Sequence, residues 1–370
     1  MSHQPHPATP LVSIIVTNHN YRRYLAECLD SACSQDYTRC EVIVVDDGST
    51  DDSRLVLDSY SRRVQVLYQP HLGQPAAYNR GFQLSQGAIV IFLDADDTLL
   101  PHALMQIVTA WQPGISKCHY RLVRVDENGR SLGLTVPPQS RSLPAGDLLP
   151  ILRRVGRYCS PPGSGNAYAR SYLEQVMPIA LADRALVADG YVITLAPLFG
   201  AVAALDAVLG TYRVHSAGLS GSGALRAATF AVKTGNELCL QGLLARHLGD
   251  FSPDAAEARC RRDLLHLEHR LVSLRLVPHL HPCASDTRRR LLHDALVSVG
   301  QDPDVGRLER PLRRILFGAL ALLPHAVLRP LVGWRYIASR QPAALRRIWH
   351  WVTTSDRHHH PVEREAMVRP

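Results

Sequence analysis

Ile89-Val-Ile-Phe-Leu-Asp94-Ala-Asp96-Asp97 is the stretch on which the reading of this chain turns. A short β-branched and aromatic run of this kind reads as a strand buried on both faces, as in a parallel sheet. It stops abruptly in carboxylates at 94, 96 and 97. Residues two apart on a strand share a face, so Asp94 and Asp96 are expected to project to one side at its C-terminal end. Ligands of open α/β sheets bind at the carboxyl ends of strands. Two converging carboxylates with no basic neighbour suit a hard divalent cation, magnesium or manganese, with substrate phosphates filling further positions. The competing reading is a solvated acidic turn capping a helix that starts near Leu100, because Asp is also a favoured N-cap.

Two earlier strand ends carry the same pattern. Glu41-Val-Ile-Val-Val45 stops at Asp46-Asp47-Gly48-Ser49-Thr50-Asp51, and Val12-Ser-Ile-Ile-Val-Thr17 stops at Asn18-His19-Asn20-Tyr21. Helical patterns follow both. Repeated alternation of strand, polar turn and helix predicts βαβ units and a parallel sheet. His19 reads as a loop residue without a ligand role.

Taken in order, four segments resemble a family 2 glycosyltransferase of the GT-A fold: Val12-Ser-Ile-Ile-Val-Thr-Asn-His-Asn20, Val44-Val-Asp-Asp-Gly-Ser-Thr-Asp51, Gly73 through Asn79-Arg-Gly81, and Phe92-Leu-Asp-Ala-Asp-Asp97. The likeness continues more loosely through Pro161-Pro-Gly-Ser-Gly-Asn166, Ala188-Asp189-Gly190 and Tyr212-Arg-Val-His215, covering residues 11–220. It implies an α/β fold: a Rossmann-like αβα sandwich with a mostly parallel sheet.

The resemblance also implies roles. Thr17 and Asn20 would line the base and ribose pocket, where Asp46 and Asp47 would accept hydrogen bonds from the nucleoside. Asn79 falls at the Asn of the family's Ala-Arg-Asn motif; Tyr78 replaces the Arg and Arg80 follows, so either Asn79 or Arg80 would meet the donor. Asp94 and Asp96 match the Asp-x-Asp motif that binds Mg2+ or Mn2+, with Asp96 the direct ligand. Asp189 matches the general base of a Glu-Asp pair whose first member is here Ala188. Arg213 and His215 match a late Arg-x-His segment that approaches the diphosphate.

The activity so implied is inverting transfer of a sugar from a nucleotide diphosphate sugar to an acceptor hydroxyl, on a glycan or glycolipid in surface polysaccharide or glycolipid assembly. Elementary chemistry agrees with it. A departing diphosphate needs its charge neutralised, which a metal does without proton transfer. One base then suffices, whereas glycoside hydrolysis generally needs two carboxylic acids. Two other classes stay open: a non-catalytic nucleotide-sugar-binding protein, and a nucleotidyltransferase with a similar sheet. The latter usually brings a Gly-rich basic loop after its first strand, and Asn18–Arg23 has arginines but no glycine. The dinucleotide fingerprint Gly-x-Gly-x-x-Gly is absent there too.

Composition narrows the partners. Of 370 residues, 46% are hydrophobic, enough for a large core and too many for disorder. A net charge of +8 suits an anionic partner. Aromatics are only 6% and do not alternate with the arginines, so nucleic acid ranks last. The eight cysteines form no Cys-x-x-Cys pair, which points to a reduced, cytoplasmic setting. Polar, Pro-rich residues 1–10 read as a disordered terminus, not a signal peptide.

The catalytic pattern spans 11–223. Residues 224–305 change to helical spacing, as at Leu264, Leu267, Leu271 and Leu274, and predict two or three accessory helices packed on the sheet domain or on a partner subunit. Residues 306–352 mix apolar blocks with Arg313, Arg314, Arg329, Arg335, Arg340, Arg346 and Arg347, and with Trp334, Tyr336, Trp349 and Trp351. Pro324 and Pro330 break the apolar run well short of the roughly 20 residues a bilayer crossing needs. Segment 310–352 is therefore expected to lie in the headgroup layer on the cytoplasmic face, the alternative being an ordinary helical subdomain with snorkelling arginines. The tail 353–370, with His358–His360, reads as disordered.

Overall fold

The computed structural model describes residues 9–180, 187–215, 227–249, 253–302 and 305–336. The expectations for Ser216–Gly223, for Arg340, Arg346, Arg347, Trp349 and Trp351, and for the His358–His360 tail lie outside them. The chain divides into two compact units.

The first unit opens with β1 (Val12–Asn18), α1 (Arg22–Cys33), β2 (Cys40–Asp47), α2 (Ser53–Tyr60), β3 (Gln65–Gln69), α3 (Gln74–Leu84) and β4 (Ile89–Asp94). After β5 (Thr98–Leu99) come α4 (Ala103–Ala110), β6 (Ile115–Val125), β7 (Ser131–Val136), α5 (Leu149–Val155), β8 (Asn166–Ala169), α6 (Arg170–Val176), α7 (Ala188–Leu195) and β9 (Ala201–Arg213). Helices α8 (Ala228–His247) and α9 (Pro253–Arg262) follow. The second unit holds residues 227–231 and α10 (Leu264–Leu276), α11 (Arg288–Gln301), α12 (Glu309–Leu322) and α13 (His325–Tyr336).

The sheet runs β3-β2-β1-β4-β8-β6-β9-β5, with β7 on the side of β6. Its first four strands are parallel, as the βαβ alternation predicts. Strand β8 is antiparallel to both β4 and β6, while β9 returns parallel to β6. In β1 the alternation sorts side chains between two layers: Val12, Ile14 and Val16 join the core that includes Leu25 and Leu29 of α1, whereas Ile15 joins the opposite core with Tyr78 of α3. Strand β4 divides in the same way, Ile91 and Leu93 against Val90 and Phe92. Both faces are covered, which is why these strands read as unbroken apolar runs.

Register then fixes where the polar turns fall. Thr17 lies opposite Val45 of β2 and Asp94 of β4, and Asn18 lies opposite Asp46. The turns after β1, β2 and β4 therefore open at one edge. Helix α3 is held close beneath it, because Gly81 leaves room where a Cβ would stand 2.3 Å from Cγ2 of Ile15.

In the second unit, Leu267, Leu271, Leu291, Phe317, Leu320, Leu328 and Val332 form its own core. Buried Arg270 grips Asp286 with both Nε and Nη2, at 2.8 and 2.5 Å. The helical spacing expected at Leu264, Leu267 and Leu271 is present in α10, but among the described residues of 224–305 four helices, α8 to α11, stand where two or three were expected. Pro324 separates α12 from α13, and Pro330 sits within α13. Among the described residues no helix is long and apolar enough to cross a membrane.

Replacing Gly81 by Ala forces a methyl into Ile15, a β-branched neighbour with little freedom to yield. The variant should lose about 1–3 kcal/mol of stability, read from its denaturant midpoint. An unshifted midpoint would contradict the close approach of α3 to β1.

Candidate active site

Strand β4 ends at Asp94, and a turn follows in which the Asp97 N–H donates to the Asp94 carbonyl at 3.0 Å. This turn, and not strand alternation, gathers the acids: Asp96 lies beyond the strand, yet carboxylate oxygens of Asp94, Asp96 and Asp97 lie within 4.8 Å of one another. Alternation alone would have sent Asp97 to the far side. The helix expected near Leu100 starts at Ala103, because Thr98 and Leu99 first pair with Thr211 and Gly210 of β9.

In so small a space the pKa values of Asp94 and Asp97 rise. Burial, followed by the charges of Asp96 and Asp189, lifts Asp94 to about 8. Burial, followed by the charges of Asp96 and Asp94, lifts Asp97 well above the ordinary carboxylate range. Gln74 of α3 donates to Asp94 at 3.1 Å, and the Asp94 N–H donates to the Ser164 hydroxyl at 3.2 Å.

The end of β9 braces this turn. The Arg213 N–H donates to Asp97 Oδ1 at 2.9 Å, and its Nε donates to the Asp96 carbonyl at 2.8 Å. The buried guanidinium also reaches Glu27 at 2.6 Å and lies over the Tyr24 ring at 4.9 Å. Arg213 closes β9, and its donors are spent on the protein. His215 places Nε2 at 2.9 Å from Asp96 Oδ2, its ring against Tyr21 and Tyr24.

Asp189 stands in the first turn of α7 and accepts the N–H groups of Gly163 at 3.1 Å and Gly190 at 2.7 Å. Burial raises its pKa in spite of these bonds. A Cβ on Gly163 would come within 3.2 Å of Asp189 Cβ and 3.4 Å of the Tyr78 hydroxyl, so glycine there lets the two side chains approach across one backbone. The Tyr78 ring stacks on Phe92 with centroids 3.9 Å apart and planes 6° from parallel. Its buried hydroxyl has no partner among the described residues. Burial, with the Asp94 and Asp189 charges, keeps that phenol protonated.

The other predicted residues are placed differently. Asp46 accepts Asn18 at 2.7 Å and the Ser49 hydroxyl at 2.7 Å. Asp47 accepts Gln69 at 2.7 Å, His71 at 2.9 Å, and the N–H groups of Leu72 at 2.9 Å and Gly73 at 2.8 Å. Asn20, in the left-handed region at φ 60°, accepts the Thr50 N–H at 2.7 Å. These side chains stitch the turns after β1, β2 and β3 together. Thr17 is half-buried beside Asp94. Asn79 clamps the Ile179 backbone at 2.9 and 2.7 Å, and Arg80 is exposed on α3. His19, read as a plain loop residue, stacks on His71 at 3.9 Å above Asp47. The structure thus unites Asp94, Asp96, Arg213 and His215, with Asp189 near enough to act on Asp94, and keeps Asp46, Asp47 and Asn20 in a separate loop cluster. Tyr78, Ser164 and Gln74 were missed as site residues; only the substitution of Tyr78 for an expected Arg marked the first in the sequence.

Residues 13–141 match the glycosyl transferase family 2 domain. That span contains all three polar turns and the acid cluster. The chain carries a family 2 glycosyltransferase domain. It is 35% identical over 212 residues to an uncharacterized glycosyltransferase of Nostoc sp., covering 56% of this chain and 65% of that one. It is 35% identical over 139 residues to chondroitin synthase of Escherichia coli, covering 36% of this chain and 20% of that one. The chain therefore spans less than two thirds of the length of these relatives. The S. aureus TarS 1-349 structure in complex with UDP is similar in fold, with a TM-score of 0.50 and 19% identity over 90% of this chain and 91% of that one.

Folding stabilises the protonated form of Asp94 relative to the unfolded chain. That contribution is complete below the ordinary carboxylate pKa of about 4 and is lost as pH rises through about 8. Metal-free family 2 domain should therefore lose thermal stability from about pH 5 to about pH 9. Asp94→Asn, whose side-chain oxygen can still accept from Gln74, should flatten that slope and raise Tm at the alkaline end. A slope identical in the variant would remove Asp94 as its source.

Proposed function

We propose that this protein is an inverting glycosyltransferase that moves a sugar from a nucleoside diphosphate sugar to an acceptor hydroxyl. The observation that carries this reading is the separation of two kinds of carboxylate: a mutually repelling group at Asp94, Asp96 and Asp97, and a single oriented acid at Asp189 beside it. The first is a hard oxygen donor set whose repulsion a divalent cation would relieve, so the residues fit such an ion. Asp94 and Asp96, with His215 against Asp96, would hold Mg2+ or Mn2+, which when bound supplies the positive charge that neutralises a departing diphosphate.

Asp189 does the proton chemistry. The Gly163 and Gly190 amides fix its carboxylate, and burial raises its basicity toward the value that serves a general base near neutral pH. It takes the proton of the attacking hydroxyl, which displaces the diphosphate from the opposite face and inverts the anomeric carbon. Tyr78 offers a neutral O–H donor to a donor-sugar hydroxyl between the two acid groups. The likeness to chondroitin synthase supports an acceptor in polysaccharide or glycolipid assembly.

The decisive measurement is nucleoside diphosphate release from a panel of UDP-, GDP- and dTDP-sugars with and without manganese. One donor should turn over only with metal. Asp189→Asn should slow it by about 10² to 10⁴-fold with donor Kd unchanged. A protein that binds a sugar nucleotide and never turns it over would be the binding protein instead.

The second unit supports placement on a membrane surface. Leu308, Ile315 and Leu322 follow a seven-residue spacing along α12 and its N-cap, and are 73%, 67% and 75% exposed. They lie on the side of α12 away from Phe317 and Leu320, which enter the core of the unit. Exposed Arg307 and Arg314 flank them, and Val327 and Trp334 of α13 are exposed as well. Apolar and cationic residues on one surface fit an anionic bilayer on the cytoplasmic face. The full-length protein should sediment with vesicles containing anionic lipid, and the triple Gln variant of Leu308, Ile315 and Leu322 should stay in solution. Failure of the unaltered protein to sediment refutes this placement, and dimerisation lost in the triple variant would assign the face to a second copy.

A further inference from the structure

We infer that the cavity bordered by Asp189 is the acceptor subsite, and that it takes a single uncharged pyranose ring. This rests on the transferase reading above and adds the class of acceptor. The cavity measures about 220 Å³ and is lined by Asp189, Arg157, Tyr158, Ser160, Thr194 and Glu237, with Pro161 and Pro162. Asp189 therefore borders this cavity and also stands close enough to Asp94 for its charge to be felt there. A hydroxyl seated here meets the base directly.

Size limits the occupant. Pockets for drug-sized ligands run to about 300–1,000 Å³, so this one accommodates one ring and leaves a second sugar outside. The walls suit a ring: the Tyr158 ring and the prolines for its C–H surface, and the Thr194 hydroxyl with Glu237 for its hydroxyl groups.

Charge excludes anionic sugars. Arg157 is the one cation of the lining, and it is ion-paired with buried Asp263 and also feels Glu237. Lys117 stands behind Ser160, donating to its hydroxyl and to Asn166 at 2.8 Å each, without a carboxylate partner. It does not line the cavity, and burial lowers its pKa. A phosphate, sulfate or carboxylate entering the cavity would find no unpaired cation and would face Asp189 and Glu237. An uncharged ring meets no such cost.

The test uses the full chain with UDP and manganese, and reads binding of methyl glucoside, methyl N-acetylglucosaminide, methyl glucuronide and glucose 6-phosphate by saturation-transfer NMR. At least one of the two uncharged glycosides should bind and the two anionic probes should not. Thr194→Trp, which fills the cavity, and Glu237→Gln should each weaken that binding by at least about tenfold. In parallel, the ratio of nucleotide release with glycoside to release into water should rise only with an uncharged glycoside. Anionic probes that bind as well as neutral ones, or neutral binding indifferent to Thr194→Trp, overturn the subsite. Metal-dependent release into water with no glycoside binding or stimulation overturns the subsite and leaves the transferase reading standing. Neutral binding in the cavity without turnover of any donor does the reverse.

Discussion

Mutual repulsion among the carboxylates after β4 is the constraint around which the first unit is arranged. Bringing Asp94, Asp96 and Asp97 within 4.8 Å costs free energy that folding must offset elsewhere. Much of the offset comes from one residue. Arg213 spends its backbone N–H on the Asp97 carboxylate and its side chain on the Asp96 carbonyl and Glu27, so the turn is clamped by the last residue of β9. The clamp works because β9 runs parallel to β6 and pairs with β5 just past the acidic turn. Sheet topology thus delivers a cation to the acidic turn after β4, and the guanidinium grips backbone carbonyls and Glu27, not the three carboxylates.

A different solution holds the loops after β1, β2 and β3. Asp46 and Asp47 are buried too, but each is surrounded by donors from neighbouring turns. Hydrogen bonds to the charged form substitute for counter-charge. The two acidic strand ends therefore look alike in sequence and differ in chemistry: one pair is satisfied and rigidifies the edge, while the other is left under strain. Strain of that kind belongs where binding is to be coupled to it.

Local signals carried the parallel half of the sheet, because apolar runs ending in polar turns report burial on both faces and a strand's carboxyl end without knowledge of the rest. They also carried Asp94, Asp96 and Asp189 as candidates. They failed for residues whose role depends on distant partners. Arg213 matches a segment that would approach a diphosphate, yet its partners, Glu27 and the Asp96 carbonyl, are set by the pairing of β9. Asn79 meets Ile179, a hundred residues away, and no periodicity announces that contact. Asp97 was not among the site residues read from the sequence, because it lies in a turn where hydrogen bonding and not pleat decides direction. Tyr78 becomes a site residue only once stacking on Phe92 and the bare Cα of Gly163 aim its hydroxyl.

Two departures from the family pattern make sense together. Tyr78 stands where the resemblance has an Arg, and Ala188 where it has a Glu; both are buried, at 1% and 0% exposure. A Glu at 188 without a cation at 78 would add a buried charge beside Asp189, in a region where Asp94 is already lifted to about 8 by its neighbours. Removing one partner of a buried pair costs about 3–5 kcal/mol, whereas replacing both with groups that pack can be neutral. What survives is a single carboxylate whose basicity is set by burial and two backbone amides, with a phenol nearby that brings no charge.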